Sequence, residues 1–113
     1  KSIAPYEATI ISIGYSKNDK IKNYSNCLYE KLKEKKIDIL LDDRDINPGN
    51  MLSDSDLIGI PNKIIIGKHL LEKGSIELKS RMLDKTSTIF EDKNFANPSE
   101  NTLKEIVSMI NLE

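Results

Sequence analysis

Asp42, Asp43 and Asp45 stand close together directly after the apolar run Ile37-Asp38-Ile39-Leu40-Leu41. A carboxylate cluster behind a strand end could hold Mg²⁺, a hard cation that takes oxygen ligands. The simpler reading is local. Arg44 sits among the acids, and carboxylates ahead of a helix start serve as turn formers and as partners of nearby donors. Their spacing matches no metal motif, and no metal site is assigned. His69 is the only histidine. A general base needs an orienting partner and usually a nucleophile, and neither has a signature here, so His69 reads as a loop residue. Cys27 is the only cysteine. It cannot form an internal disulfide, and beside Leu28 it reads as a packed or half-buried thiol, with Lys31 one turn away as its basic neighbour. Glycines 49, 59, 67 and 74 fall singly at turns, and neither G-x-G-x-x-G nor G-x-x-x-x-G-K occurs. No catalytic residue follows from these patterns.

Lys79 and Arg81 are more informative. Ile76, Leu78 and Met82 alternate with Glu77, Lys79 and Arg81, which is the period of a half-exposed strand and puts the two cations on one face. A solvated sheet face accounts for such a pair. Cations near a helix start and backbone donors are also what a single-stranded nucleic-acid loop requires.

These residues need elements to hold them. Ala8-Thr9-Ile10-Ile11-Ser12-Ile13-Gly14 is rich in β-branched residues and reads as a first, largely buried strand. From Asp19 to Lys36, the spacing of Ile21, Tyr24, Leu28 and Leu32 predicts an amphipathic helix. Residues 37–41 give the second strand, so the chain opens with a right-handed crossover between parallel strands. Asn47 can cap and Pro48 can start a short helix running to Ile58; Gly59-Ile60-Pro61 ends it before a third buried strand, Lys63 to Gly67. These three strands are expected to be parallel. The segments 76–82 and 86–90, joined across Leu83-Asp84-Lys85, predict an antiparallel hairpin. Asn97-Pro98-Ser99-Glu100 resembles a capping box ahead of Leu103, Ile106, Val107 and Ile110 on one helical stripe.

The 113 residues, 38% hydrophobic and 31% charged, fit one domain over residues 1–113 with a single core. Lys and Arg total 17 against 18 Asp and Glu, for a formal net charge of −1, so any nucleic-acid contact must be local rather than a basic coat. The cysteine count argues against a disulfide scaffold and, with the lone histidine, against a zinc module; a reducing compartment is expected. No apolar run approaches the roughly 20 residues of a membrane helix and no signal segment is evident, so a soluble domain without membrane contact is expected. The start at Lys1 rather than Met suggests a piece of a longer chain.

Four stretches carry a resemblance: Ile3-Ala4-Pro5-Tyr6-Glu7, Leu28-Tyr29-Glu30-Lys31-Leu32, Leu40-Leu41-Asp42-Asp43-Arg44-Asp45-Ile46-Asn47-Pro48-Gly49, and Ser53-Asp54-Ser55-Asp56-Leu57-Ile58-Gly59-Ile60-Pro61. In this order they resemble the C-terminal anticodon-binding domain of bacterial-type prolyl-tRNA synthetases, over essentially the whole chain. The resemblance implies an α/β fold in three layers, a mixed five-stranded sheet flanked by helices. It also implies the anticodon loop of proline tRNA as partner, a catalytic domain elsewhere in the parent that uses ATP and Mg²⁺, a homodimeric parent and a cytoplasmic location. The fragment itself is expected to be non-catalytic and to hold no cofactor.

By the same resemblance, anticodon contacts fall on Arg44, Asp45, Asn47, Ser53 and Lys79, with Arg81 as neighbour on the strand face. Proline anticodons share two guanines, whose edges offer acceptors to Lys or Arg and donors to a carboxylate. Two departures stand out: the family usually has a charged residue, often Arg, where this chain has Asn47, and Gly where it has Lys36. Two other functions compete. One is an accessory or stand-alone module of the same fold that binds protein, which the sequence upstream of Lys1 would discriminate. The other is a receiver-like or flavodoxin-like domain, which the absence of an acidic pair after the first strand disfavours and which Mg²⁺ titration would test.

Overall fold

The computed structural model describes residues 6–44, 46–80, 85–90, 98 and 100–111. Among them are five strands and four helices, in the order β1 (Ala8–Ser12), α1 (Asp19–Glu34), β2 (Ile39–Asp42), α2 (Pro48–Ile58), β3 (Asn62–Ile66), α3 (Lys68–Lys73), β4 (Ser75–Ser80), β5 (Lys85–Phe90) and α4 (Glu100–Asn111). The strands form one mixed sheet in the order β2-β1-β3-β4-β5. β1 pairs in parallel with β2 and β3, β4 runs antiparallel to β3, and β5 runs antiparallel to β4. The expected parallel trio and hairpin are both present, although the turn at 81–84 and the capping residues Asn97 and Ser99 lie outside the described residues.

The chain moves from β1 to β2 on one side and then back across β1 to β3. Right-handed crossovers in opposite directions place α1 and α2 on opposite faces. The burial pattern agrees. Ile10, Ile64, Ile66, Ile76, Leu78 and Ile89 share a core with Tyr24, Leu28 and Leu32 of α1, Leu70 of α3, and Leu103, Ile106 and Ile110 of α4. α2 covers the other face, where Lys63 of β3 pairs with Asp56. β1, sandwiched between both helix layers, is buried at every position.

Local chemistry sets the helix ends. The Asn18 side chain accepts hydrogen bonds from the Lys20 and Ile21 amides and caps α1. At the other end, the Ile37 amide donates to the Leu32 carbonyl and the Lys36 amide to the Lys33 carbonyl, a Schellman closure with Lys36 in the left-handed region at φ 63°. That closure corrects two expected boundaries: α1 ends at Glu34 rather than Lys36, and Ile37 belongs to the turn, so β2 begins at Ile39. The same closure recurs after α2, where Gly59 and Ile60 donate to Asp56 and Ser55. A third correction concerns His69, which lies in the short helix α3 and not in a loop.

Candidate nucleic-acid interface

The loop after β2 is built around Arg44. Its Nε donates to Asp42 Oδ1 and one terminal nitrogen to Asp42 Oδ2, both at 2.8 Å, while the other reaches Asp54 Oδ2 on α2 at 3.0 Å. The fork on Asp42 is bidentate, the geometry that suits a guanidinium. These hydrogen bonds, first to Asp42 and then to Asp54, raise the guanidinium pKa above its ordinary value, so the charge is fixed near neutral pH. Asp42 and Asp54 thereby share one cation of the chain itself. Among the described residues, no group of three or more His, Cys, Asp or Glu is placed to hold a metal ion. The Arg44 loop borders a cleft of about 470 Å³ between β2 and α2.

Asn47 begins α2. Its side chain accepts from the Gly49 amide at 2.7 Å and Pro48 follows at the first helical position, as the sequence predicts. The Asn47 carbonyl oxygen is thus engaged in a cap. Ser53 is exposed on α2.

Lys79 stands on the far side of α2. The register aligns Leu40, Thr9, Lys63, Lys79 and Thr86 in one row across the sheet, and Asp42, Ile11, Ile65, Glu77 and Thr88 in the next. Both rows lie on the face that α2 covers. Lys63, 6% exposed, is held by Asp56, whereas the half-buried side chain of Lys79 has no hydrogen bond or ion pair with any described residue. The structure therefore places Arg44, Asn47 and Ser53 along the loop and α2, and Lys79 on β4, three strand spacings or about 14 Å across the sheet from β2. Asp45 and Arg81 lie outside the described residues.

A second cleft, of about 490 Å³, opens over the ends of β1 and β3, where Lys17, Lys68 and His69 face Ile65 and Glu77. It sits where the chain order reverses between neighbouring parallel strands, a place at which open α/β sheets commonly bind ligands. Lys63, Asp54, Asp56 and Glu77 are additions to the site residues expected from the sequence. Glu77 could have been found from its two-residue offset from Lys79, whereas the Lys63–Asp56 pair depends on a register that only the fold supplies.

The class that the fold defines is an α/β module whose mixed sheet is covered by α2 on half of one face, with Lys79, which has no side-chain partner among the described residues, on the other half. The chain belongs to the anticodon binding domain family, whose model matches residues 7–106. It is 51% identical over 81 residues to a proline–tRNA ligase from Francisella tularensis subsp. tularensis, an alignment that takes in 72% of this chain and 14% of that protein. A proline–tRNA ligase from Francisella philomiragia is 41% identical over 95 residues, covering 84% of this chain and 17% of the relative. The chain thus spans about one seventh of the length of the curated relatives it matches. A crystal structure of prolyl-tRNA synthetase from Cryptosporidium parvum shares the fold with a TM-score of 0.77 at 20% identity, over 97% of this chain and 21% of that one. The relatives are ligases, and no helix among the described residues is long and apolar enough to cross a membrane.

Proposed function

We propose that this chain is the tRNA-reading module of a proline–tRNA ligase and that it grips the anticodon loop of proline tRNA. The observation that carries this reading is the arrangement around α2: Arg44 clamped to Asp42 and Asp54 on one side, and on the other a sheet face where the Lys79 side chain has no partner among the described residues. β4 lies three strand spacings from β2, about 14 Å across the sheet, a width suited to a splayed loop whose unstacked bases are read on their edges. The two guanines shared by proline anticodons present O6 and N7 to a cation and N1–H and N2–H₂ to a carboxylate.

The chain contributes position rather than bond-making chemistry. Proline activation by ATP with Mg²⁺ belongs to a catalytic domain elsewhere in the parent, a cytoplasmic homodimer in this reading. Holding the anticodon orients the distant acceptor end toward that domain and converts a loose encounter into an aligned one. Removing the module from the parent is expected to raise the apparent Michaelis constant for tRNA or slow aminoacylation, with far less effect on tRNA-independent pyrophosphate exchange. Equal loss of both activities would mean that the module supports the catalytic fold instead.

A further inference from the structure

The half of the sheet beyond α2 carries a second set of side chains with a common orientation. β5 pairs with β4 so that Ser75 stands opposite Phe90, Glu77 opposite Thr88 and Lys79 opposite Thr86. Residues opposite one another share a face. Phe90 therefore projects on the side of Glu77 and Lys79, away from Ile76, Leu78 and Ile89, which belong to the core. It is 68% exposed, while its neighbour Ile89 is 6% exposed. Core packing does not account for a large ring in that place.

Glu77 differs from the acids around α2. Asp42 and Asp54 are bound to Arg44 and Asp56 to Lys63, but the Glu77 side chain makes no hydrogen bond or ion pair with any described residue. It is half-buried at the margin of the second cleft. Lys79 lies two residues along the strand, about 7 Å away, and Phe90 is the diagonal neighbour of Glu77 on β5 at about 7–8 Å. The exposed Thr86 and Thr88 complete a polar surround. A carboxylate, an ammonium and an aromatic face at these spacings suit one planar base with a polar edge better than an apolar peptide.

We propose that Phe90 and Glu77 form a guanine-reading platform, with the ring stacking on the base and Glu77 accepting from N1–H and N2–H₂ while Lys79 donates toward O6. Adenine presents an acceptor at N1 where guanine presents a donor, so the carboxylate selects between the purines. This inference rests on the reading that the chain binds a tRNA anticodon, and it assigns the selection of guanine at that site.

Binding of the chain to a proline anticodon stem-loop tests it, with guanine or inosine, which lacks the N2 amine, at each shared guanine position. For one of those positions, inosine is expected to weaken wild-type binding while leaving Glu77→Ala, already about ten-fold weaker, unaffected. Phe90→Ala is expected to lose about five-fold or more for every sequence, and Phe90→Trp to retain binding. Both variants should keep the wild-type unfolding midpoint, because neither side chain belongs to the core. If the wild type distinguishes guanine but the Glu77→Ala and inosine effects simply multiply, or Phe90→Ala binds normally, the platform is wrong and anticodon binding stands. If the wild type does not bind the stem-loop, the functional reading fails and the platform with it.

Discussion

Arg44 and Lys63 show how single charged residues are used differently on the two sides of α2. Arg44 is about half exposed, yet it holds both Asp42 and Asp54 through a planar fork that a lysine cannot reproduce. Arg44→Lys is therefore expected to lower the thermal unfolding midpoint and weaken stem-loop binding together, since the loop ahead of α2 loses its clamp. Because the folded guanidinium pKa lies above the free value, the clamp is fully present at and below neutral pH on the arginine side and is lost only in strong base. Lys63 has a different weight. Its ammonium is buried while Asp56 is 59% exposed, so Asp56→Ala leaves a charge unpaired with only partial access to water. The expected cost is above the ~1 kcal/mol ceiling of an ordinary surface pair and below the ~3–5 kcal/mol of a fully buried one, as read from denaturant unfolding.

Elements were legible wherever one face is apolar over enough residues. The stripe of Ile21, Tyr24, Leu28 and Leu32 and the β-branched run of β1 identify themselves, and the alternation in β4 marks which side faces the core. α3 escaped because a helix of six residues with adjacent Leu70 and Leu71 is too short to display a period. α2 gave itself away through its cap rather than its pattern, since Leu57 is 85% exposed. Within the site, Lys79 and the Arg44 loop could be placed from sequence, whereas the face of Phe90 depends on the hairpin register. Two end residues test this account. Lys36 occupies a left-handed position, and a side chain there costs about 1–2 kcal/mol. Lys36→Gly is expected to stabilise the domain by about 1 kcal/mol after the entropy of glycine is counted, a rise of several degrees in the unfolding midpoint. Asn47→Ala should cost about 1 kcal/mol by removing the cap, and Asn47→Asp should restore it.

At the scale of the whole molecule, a net charge of −1 means that affinity for RNA cannot come from a general positive field. Recognition must rest on a few placed groups, and a binding curve should show a shallow dependence on salt compared with a basic RNA-binding domain. The fold supplies those placements by leaving half of one sheet face open beside α2 and burying the other face under three helices. Anticodon recognition predicts a preference that depends on base identity. The most direct measurement is the affinity of this chain for a proline anticodon stem-loop against the same stem-loop with both shared guanines replaced by adenine. Tighter binding to the guanine version by about ten-fold or more, as for one or more specific base contacts, with Lys79→Ala reducing that preference, is the predicted result. Equal affinity for the two stem-loops would contradict the assignment of this face as the anticodon reader.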